Sequence, residues 1–319
     1  MRKALFKSLL FVTVALLLFA GLVALRYTCS HALCPADLGF RGLRALGGAD
    51  ILLLGSSLTR MAYDPRVLEE RTGRRAYVLA YNGLDPVYVH AVLEPVLAEP
   101  ALRPDLLVLE AAAGLCSVPP DLRDKNLFVN APPALKGRLL ELLRSRPDGL
   151  PFPQFYDLVV STKNADLLAY PLTAGLLARS FYHGAHRQAP ATALSPAAFA
   201  AIKPLPSDLQ PALEVQLQAL DRILALTRAH GIRTVFVVPA LPSTLADLPE
   251  IRAHQARLTA HLEAAGASCL DGSLGFAQDD PACFADGRHL SAYGRRLYTE
   301  NLAARLFPPE AMLNQASRP

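Results

Sequence analysis

Residues 51–57 read Ile-Leu-Leu-Leu-Gly-Ser-Ser. A short unbroken apolar run that stops at turn-forming residues fits a strand buried on both faces, as in parallel sheets. The Gly55-Ser56 turn then lifts Ser57 to the sheet's edge. The pattern recurs downstream at Ala76–Tyr81, which ends in Asn82-Gly83, at Asp105–Ala111, at Thr234–Pro239, and more briefly at Ser268–Leu270. Helical spacing fills the intervals at Arg66–Thr72, Val87–Ala98, Leu209–His230, Ile251–Ala265 and Ser291–Leu306, with Gly231 and Gly266 where C-terminal caps belong. Strands alternating with helices predict an α/β fold, a doubly wound, flavodoxin-like parallel sheet of about five strands. Ligands of such sheets sit beyond the C-terminal strand ends, where Ser57, Asn82-Gly83 and Glu110 all fall.

Working toward the N-terminus, Leu9–Leu25 is an uncharged apolar run preceded by Arg2, Lys3 and Lys7 and closed by Arg26. It falls within the length range of a spanning helix. It ends Leu-Val-Ala-Leu-Arg, a poor cleavage site for a signal peptide, and no lipobox precedes Cys29 or Cys34. The expected organisation is a cytoplasmic basic tip and transmembrane anchor over 1–26, a linker over 27–48, and one α/β domain over 49–319. The basic flank predicts a single-pass topology, with the bulk of the chain on the periplasmic or extracellular side and the lipid bilayer as a partner. Residues 118–206 hold twelve of the chain's 26 prolines. They read as a helical, partly irregular insertion between strands three and four, with helical stretches at Leu135–Arg144 and Ala165–Arg179.

Hydrophobic residues make up 52% of the chain, charged ones 19%, and the net charge is only +4. The basic residues are scattered, which argues against a nucleic-acid partner. There are five cysteines. In an oxidising compartment Cys269 with Cys283 is a candidate bridge, Cys29 with Cys34 could close a juxtamembrane loop, and Cys116 is left over; the alternative is that all five thiols are free. No Cys/His spacing suggests a metal, and no phosphate-binding loop or dinucleotide fingerprint is present, so no cofactor is expected.

A serine hydroxyl needs a histidine to take its proton, a carboxylate to orient that histidine, and N–H donors for the oxyanion. Ser57 is placed to be the nucleophile, and its own N–H to be a donor. Asp286-Gly287-Arg288-His289 lies just before the last helix, and its three-residue gap lets Asp286 reach the near ring nitrogen of His289 while the far one points to Ser57. Either piece alone is weak: a serine after a strand is commonly a helix N-cap, and an Asp-x-x-His arises readily by chance in a chain with eight histidines. Arg60, one turn beyond Ser57, is a candidate for binding an anionic substrate group, and Glu110 borders the same edge. His183 and His186 in the insertion, and His230, His254 and His261 on helices, fit surface positions.

Together these motifs resemble the SGNH/GDSL hydrolases. Gly55-Ser56-Ser57-Leu58 matches the family's first block and Asp286–His289 its last. The resemblance maps the second-block glycine, an oxyanion donor, onto Gly83. It spans roughly residues 50–116 and 230–306. The third block, Gly-x-Asn-Asp, has no counterpart: the position reads Leu109-Glu110-Ala111-Ala112-Ala113-Gly114. Asn82 is then the candidate replacement donor. The anchor and the Gly-Ser-Ser block resemble a divergent branch whose members work beside membrane-bound O-acyltransferases, including those of teichoic-acid D-alanylation and alginate acetylation. That branch implies an esterase or O-acyltransferase acting on acylated polysaccharide of the cell envelope. The alternatives are a non-catalytic or partner-dependent scaffold of such a machinery, motivated by the missing Asn, and a membrane-tethered lipase.

Overall fold

The computed structural model describes residues 2–33, 39–146, 149, 181–186 and 192–308. The first strand, β1 (Ile51–Gly55), is buried along its whole length. It pairs in parallel with β2 (Ala76–Ala80) on one side and β3 (Leu106–Glu110) on the other, with Leu53 opposite both Val78 and Val108. A short antiparallel hairpin follows, β4 (Phe181–Tyr182) and β5 (Ala185–His186). Beyond β3 the main sheet continues through β6 (Arg233–Val238) to β7 (Ser268–Asp271), giving the order β2-β1-β3-β6-β7 with every pairing parallel. This is the expected doubly wound sheet. The direction of winding reverses between β1 and β3, so a crevice opens there beyond their C-terminal ends.

Side chains alternate across a strand, and both faces of this sheet are covered. Leu52 and Leu54 join Tyr77, Leu107 and Phe236 in one core, closed by Val92 and Val96 of the Pro86–Ala98 helix and Ile223 of the Glu214–Ala229 helix. Ile51 and Leu53 join Val78, Val108 and Val235 in the other, closed by Leu68 of the Pro65–Thr72 helix and by Tyr298 and Leu302 of the Ala292–Leu306 helix. Full burial of such an aliphatic side chain is worth about 1.5–3 kcal/mol, so β1 and its turn rest on a heavily stabilised part of the molecule.

Helix starts follow the sequence. Asp64 accepts from the Arg66 N–H, Asp85 from the Val87 and Tyr88 N–H groups, and Ser291 from the Gly294 N–H. Gly231 and Gly266 take the left-handed conformation, with φ of 67° and 73°. The helix expected from Leu209 begins instead at Glu214. Pro211 lacks an N–H and disfavours helical geometry at the residue before it, so Pro206–Leu209 forms a separate 3-10 turn.

The apolar N-terminal segment is helical over Arg2–Leu33, and its Leu5–Leu22 stretch is long and apolar enough to cross a membrane. Within the 27–48 stretch, read as a linker, a second helix (Gly39–Ala45) docks on the domain. Its Phe40 and Leu43 enter the first core, and the Tyr77 hydroxyl donates to the Gly39 carbonyl at 2.8 Å. The start of the 118–206 insertion is also core: Leu135, Leu139 and Leu143 of the Pro133–Arg144 helix pack there. The β4–β5 hairpin lies along the outer strand β2, with the Val78 N–H donating to the His183 carbonyl at 2.9 Å. The expected Ala165–Arg179 helix lies outside the described residues.

The Cys269–Cys283 bridge is not formed; both thiols are free, as is that of Cys116. Cys269 packs on the first core and Cys283 is buried in the second, so the sheet stands between them. Burial pushes both thiols up to about 11, with Glu263 adding to the shift at Cys269 and Asp280 at Cys283. The Cys29–Cys34 pairing lies outside the described residues, which omit residue 34.

Candidate active site

The turn after β1 divides its work between two adjacent serines. Ser56 is the N-cap of the Ser57–Ala62 helix, and its hydroxyl oxygen accepts the Leu58 N–H at 3.1 Å. The capping that a serine in this setting usually performs therefore falls to Ser56. Ser57, one residue on, is half-buried, and its hydroxyl meets a different partner.

That partner is His289. Its Nε2 lies 2.9 Å from the Ser57 Oγ, and its Nδ1 lies 2.8 Å from the Asp286 Oδ2. The carboxylate holds a proton on Nδ1, which leaves Nε2 to accept from the Ser57 hydroxyl. The loop itself fixes this geometry. The other Asp286 oxygen accepts the backbone N–H groups of Arg288 (2.8 Å) and His289 (2.9 Å), and the His289 carbonyl accepts the Ala285 N–H at 2.8 Å. Partial burial pulls the Asp286 carboxyl upward, but the hydrogen bonds from the His289 side chain and backbone and from Arg288 outweigh it and hold it down at about 2.

Around the Ser57 hydroxyl the backbone donors are nearly all committed. The Ser56 and Thr59 N–H groups go to Glu110, Leu58 to the Ser56 hydroxyl, and Asn82 to Asp124 at 2.8 Å. Among the described residues the N–H groups of Ser57 and Gly83 have no acceptor. Both residues line one cleft with His289 and Asn82. Gly83 has φ of 61°, and a side chain there would also press on Arg123, with its Cβ 2.6 Å from the Arg123 Cδ.

Two sequence candidates occupy different places from those expected. Glu110 does not face substrate. Its carboxylate lies under the turn and accepts from the Ser56 N–H and hydroxyl and from the Thr59 N–H (3.1 Å) and hydroxyl (2.7 Å). Gly55 is required by this approach, because a Cβ there would collide with Thr59 and Glu110. Arg60 is likewise turned inward: it donates to the Ala80 carbonyl, the Asn82 side-chain oxygen (3.2 Å) and Asp124 (3.3 Å), and its side chain is only 15% exposed. It bolts the Asn82-Gly83 turn in place instead of meeting an anion.

Sequence reading missed three supports. Asp124 ties the Asn82 N–H, Arg60 and the Asn126 N–H together. Gln255 donates to the Ala111 carbonyl at 2.9 Å and accepts the Ala113 N–H at 3.1 Å, closing the loop that lacks the third-block Asn. Arg288 pairs with Asp208 at the cleft wall. Each joins segments far apart in sequence, so no local pattern marks them. The cleft has a volume of about 1000 Å³, room for a substrate much larger than acetate.

No protein-family model matches the sequence, and no curated protein matches it. Solved structures do. A candidate lipolytic protein of the G-D-S-L family from Desulfitobacterium hafniense is 9% identical, with a TM-score of 0.41 over 79% of this chain and 97% of that one. A candidate SGNH hydrolase from Slackia heliotrinireducens is 15% identical, with a TM-score of 0.42 over 81% and 99%. TesA is 15% identical, with a TM-score of 0.40 over 81% and 98%. The chemistry of Ser57 is argued from this chain's own geometry.

Proposed function

We propose that the chain is a membrane-anchored serine hydrolase of acyl esters, with Ser57 as nucleophile, His289 as general base and acid, and Asp286 orienting the imidazole. The observation that carries this reading is the pair of uncommitted N–H groups at Ser57 and Gly83, in the same cleft as a hydroxyl already 2.9 Å from an imidazole nitrogen. The N–H groups of Ser56, Leu58, Thr59 and Asn82 are used up in holding the two turns, which leaves those of Ser57 and Gly83 for an oxyanion. Ser57 attacks the ester carbonyl and passes its proton to Nε2. The carbonyl oxygen becomes an oxyanion held by the Ser57 and Gly83 N–H groups, and Asn82, whose carbonyl end is engaged by Arg60, keeps an amide NH2 for donation. Protonated His289 then gives its proton to the departing alkoxide, leaving an acyl-enzyme. Water, or a hydroxyl of an acceptor, resolves it by the same steps in reverse.

The finer reading is that the acyl group comes from or goes to an acylated cell-envelope polysaccharide, with a membrane-bound O-acyltransferase as partner. Support comes from the apolar N-terminal helix, the basic Arg2, Lys3 and Lys7 before it, and a cleft large enough for a saccharide unit. The same basic flank supports the bulk of the chain standing on the periplasmic or extracellular side. A scaffold without efficient chemistry is favoured by one observation: the Ala111–Gly114 loop offers no polar side chain to the cleft.

Hydrolysis of 4-nitrophenyl acetate by the wild type, Ser57→Ala and His289→Ala separates the readings. Activity lost in both variants supports the hydrolase. A wild type at the background rate of the variants favours the scaffold or a partner-dependent transferase.

A further inference from the structure

Arg123 lies over Gly83. Its aliphatic stem stands where a side chain on Gly83 would go, and it lines the same cleft as Ser57 and His289. Its backbone is pinned from both sides. The Asp121 N–H donates to Asp85 at 3.0 Å, and the Asp124 carboxylate accepts the Asn82 N–H at 2.8 Å, so residues 121–124 are fastened to the Tyr81–Asp85 turn at both ends. The guanidinium beyond that stem is exposed, and among the described residues no carboxylate or carbonyl holds it. The other arginines of the cleft are occupied: Arg252 pairs with Asp247 at 2.8 Å, and Arg288 pairs with Asp208.

An uncommitted arginine on a rigid loop, beside the candidate oxyanion N–H, is arranged to receive an anion. A guanidinium offers paired donors that match a carboxylate or phosphate, and it stays charged at any physiological pH. We infer that Arg123 forms an anion subsite and that the ester acted on at Ser57 carries a carboxylate or phosphate close to the scissile bond. This rests on the serine-hydrolase reading and narrows its substrate class to anionic esters.

Two matched ester pairs test it on the full chain in detergent. Mono-4-nitrophenyl glutarate against 4-nitrophenyl pentanoate places the charge on the acyl side. 4-Acetoxybenzoate against its methyl ester places it on the alcohol side. For at least one pair, Arg123→Gln should lower the anionic-to-neutral ratio of kcat/KM by about tenfold or more, mainly through KM. Arg123→Lys should keep part of the ratio, and high salt should shrink it in the wild type. A ratio unmoved in both pairs overturns the subsite alone. An equal fall in kcat on charged and neutral members also overturns it, because Arg123 would then act on the oxyanion. A wild type inactive on all four esters, with Ser57 unreactive toward a fluorophosphonate, overturns the hydrolase reading and the subsite with it.

Discussion

The carboxylate of Glu110 receives both the backbone N–H of Ser56, at 3.0 Å, and its hydroxyl, at 2.8 and 2.9 Å. With the Thr59 N–H and hydroxyl added, four donors converge on one acceptor group from the neighbouring strand. An ionised carboxylate has about four acceptor sites and no donor, so it matches that demand where an amide would not. The contact locks the end of β3 to the turn after β1 and fixes the direction in which the Ser57 hydroxyl points.

Glu110→Gln should therefore lower kcat on a simple ester by about tenfold or more while KM changes little, since the group positions the nucleophile and meets no substrate. Glu110→Ala should do worse, and should also cost about 1–3 kcal/mol of stability by leaving buried donors unpaired. Steady-state kinetics with a thermal melt checks both. A rise in KM with kcat intact would contradict the positioning role.

Gly83 and Asp124 serve the second turn. Gly83→Ala forces an L side chain into a left-handed conformation and against Arg123. Asp124→Ala frees the Asn82 N–H and Arg60 together. Each should reduce kcat by about 10²–10³, the usual cost of losing one oxyanion donor, with fluorophosphonate labelling of Ser57 slowed in parallel. Wild-type kcat in both variants would show that this turn takes no part in the reaction.

The Asp286 carboxyl sits near 2, below its ordinary value of 3.8. A carboxyl depressed by folding contributes stability above its unfolded value and loses it as pH falls through its folded one, here between about 3.8 and 2. Asp286 thus stays ionised across any assay pH well above its folded value, and the acidic limb of a pH–activity profile would come from another group. Carboxyl NMR titration should place Asp286 well below 3.8. Asp286→Asn should cut kcat near neutral pH by about 10²–10⁴ by disturbing the imidazole tautomer.

Asp85 moves the other way. Burial pushes its carboxyl up to about 6, against the opposing hydrogen bonds from the Asp121, Tyr88 and Val87 N–H groups and the Gln216 side chain. The folded chain then binds this proton more tightly than the unfolded one, so the contribution to stability falls as pH rises from about 4 through 6. The thermal midpoint should decline across that window, and Asp85→Asn should flatten the decline. An unchanged slope in the variant would assign it to other groups.

Much of this was legible from local pattern. The apolar runs at Ile51–Leu54 and Leu106–Leu109 are strands because both faces of the sheet are covered, and period and length suffice to show it. Ser57 and the Asp286–His289 pair could be read because their spacing is local and their chemistry restricts residue type. The inward direction of Glu110 and Arg60 is not legible, since sequence gives the strand end on which a side chain sits but not the partners waiting beneath it. Asp124, Gln255 and Arg123 went unnoticed because each acts on a turn remote in sequence. The Cys269–Cys283 pairing failed because proximity along the chain does not reveal that a sheet lies between the two thiols.

The most direct test of the account is fluorophosphonate labelling of the full-length chain, with the modified residue located by mass spectrometry. The account predicts one adduct, on Ser57, formed in the wild type and sharply slowed in His289→Ala. An adduct on Ser56 or elsewhere, or labelling of Ser57 indifferent to His289, would contradict it.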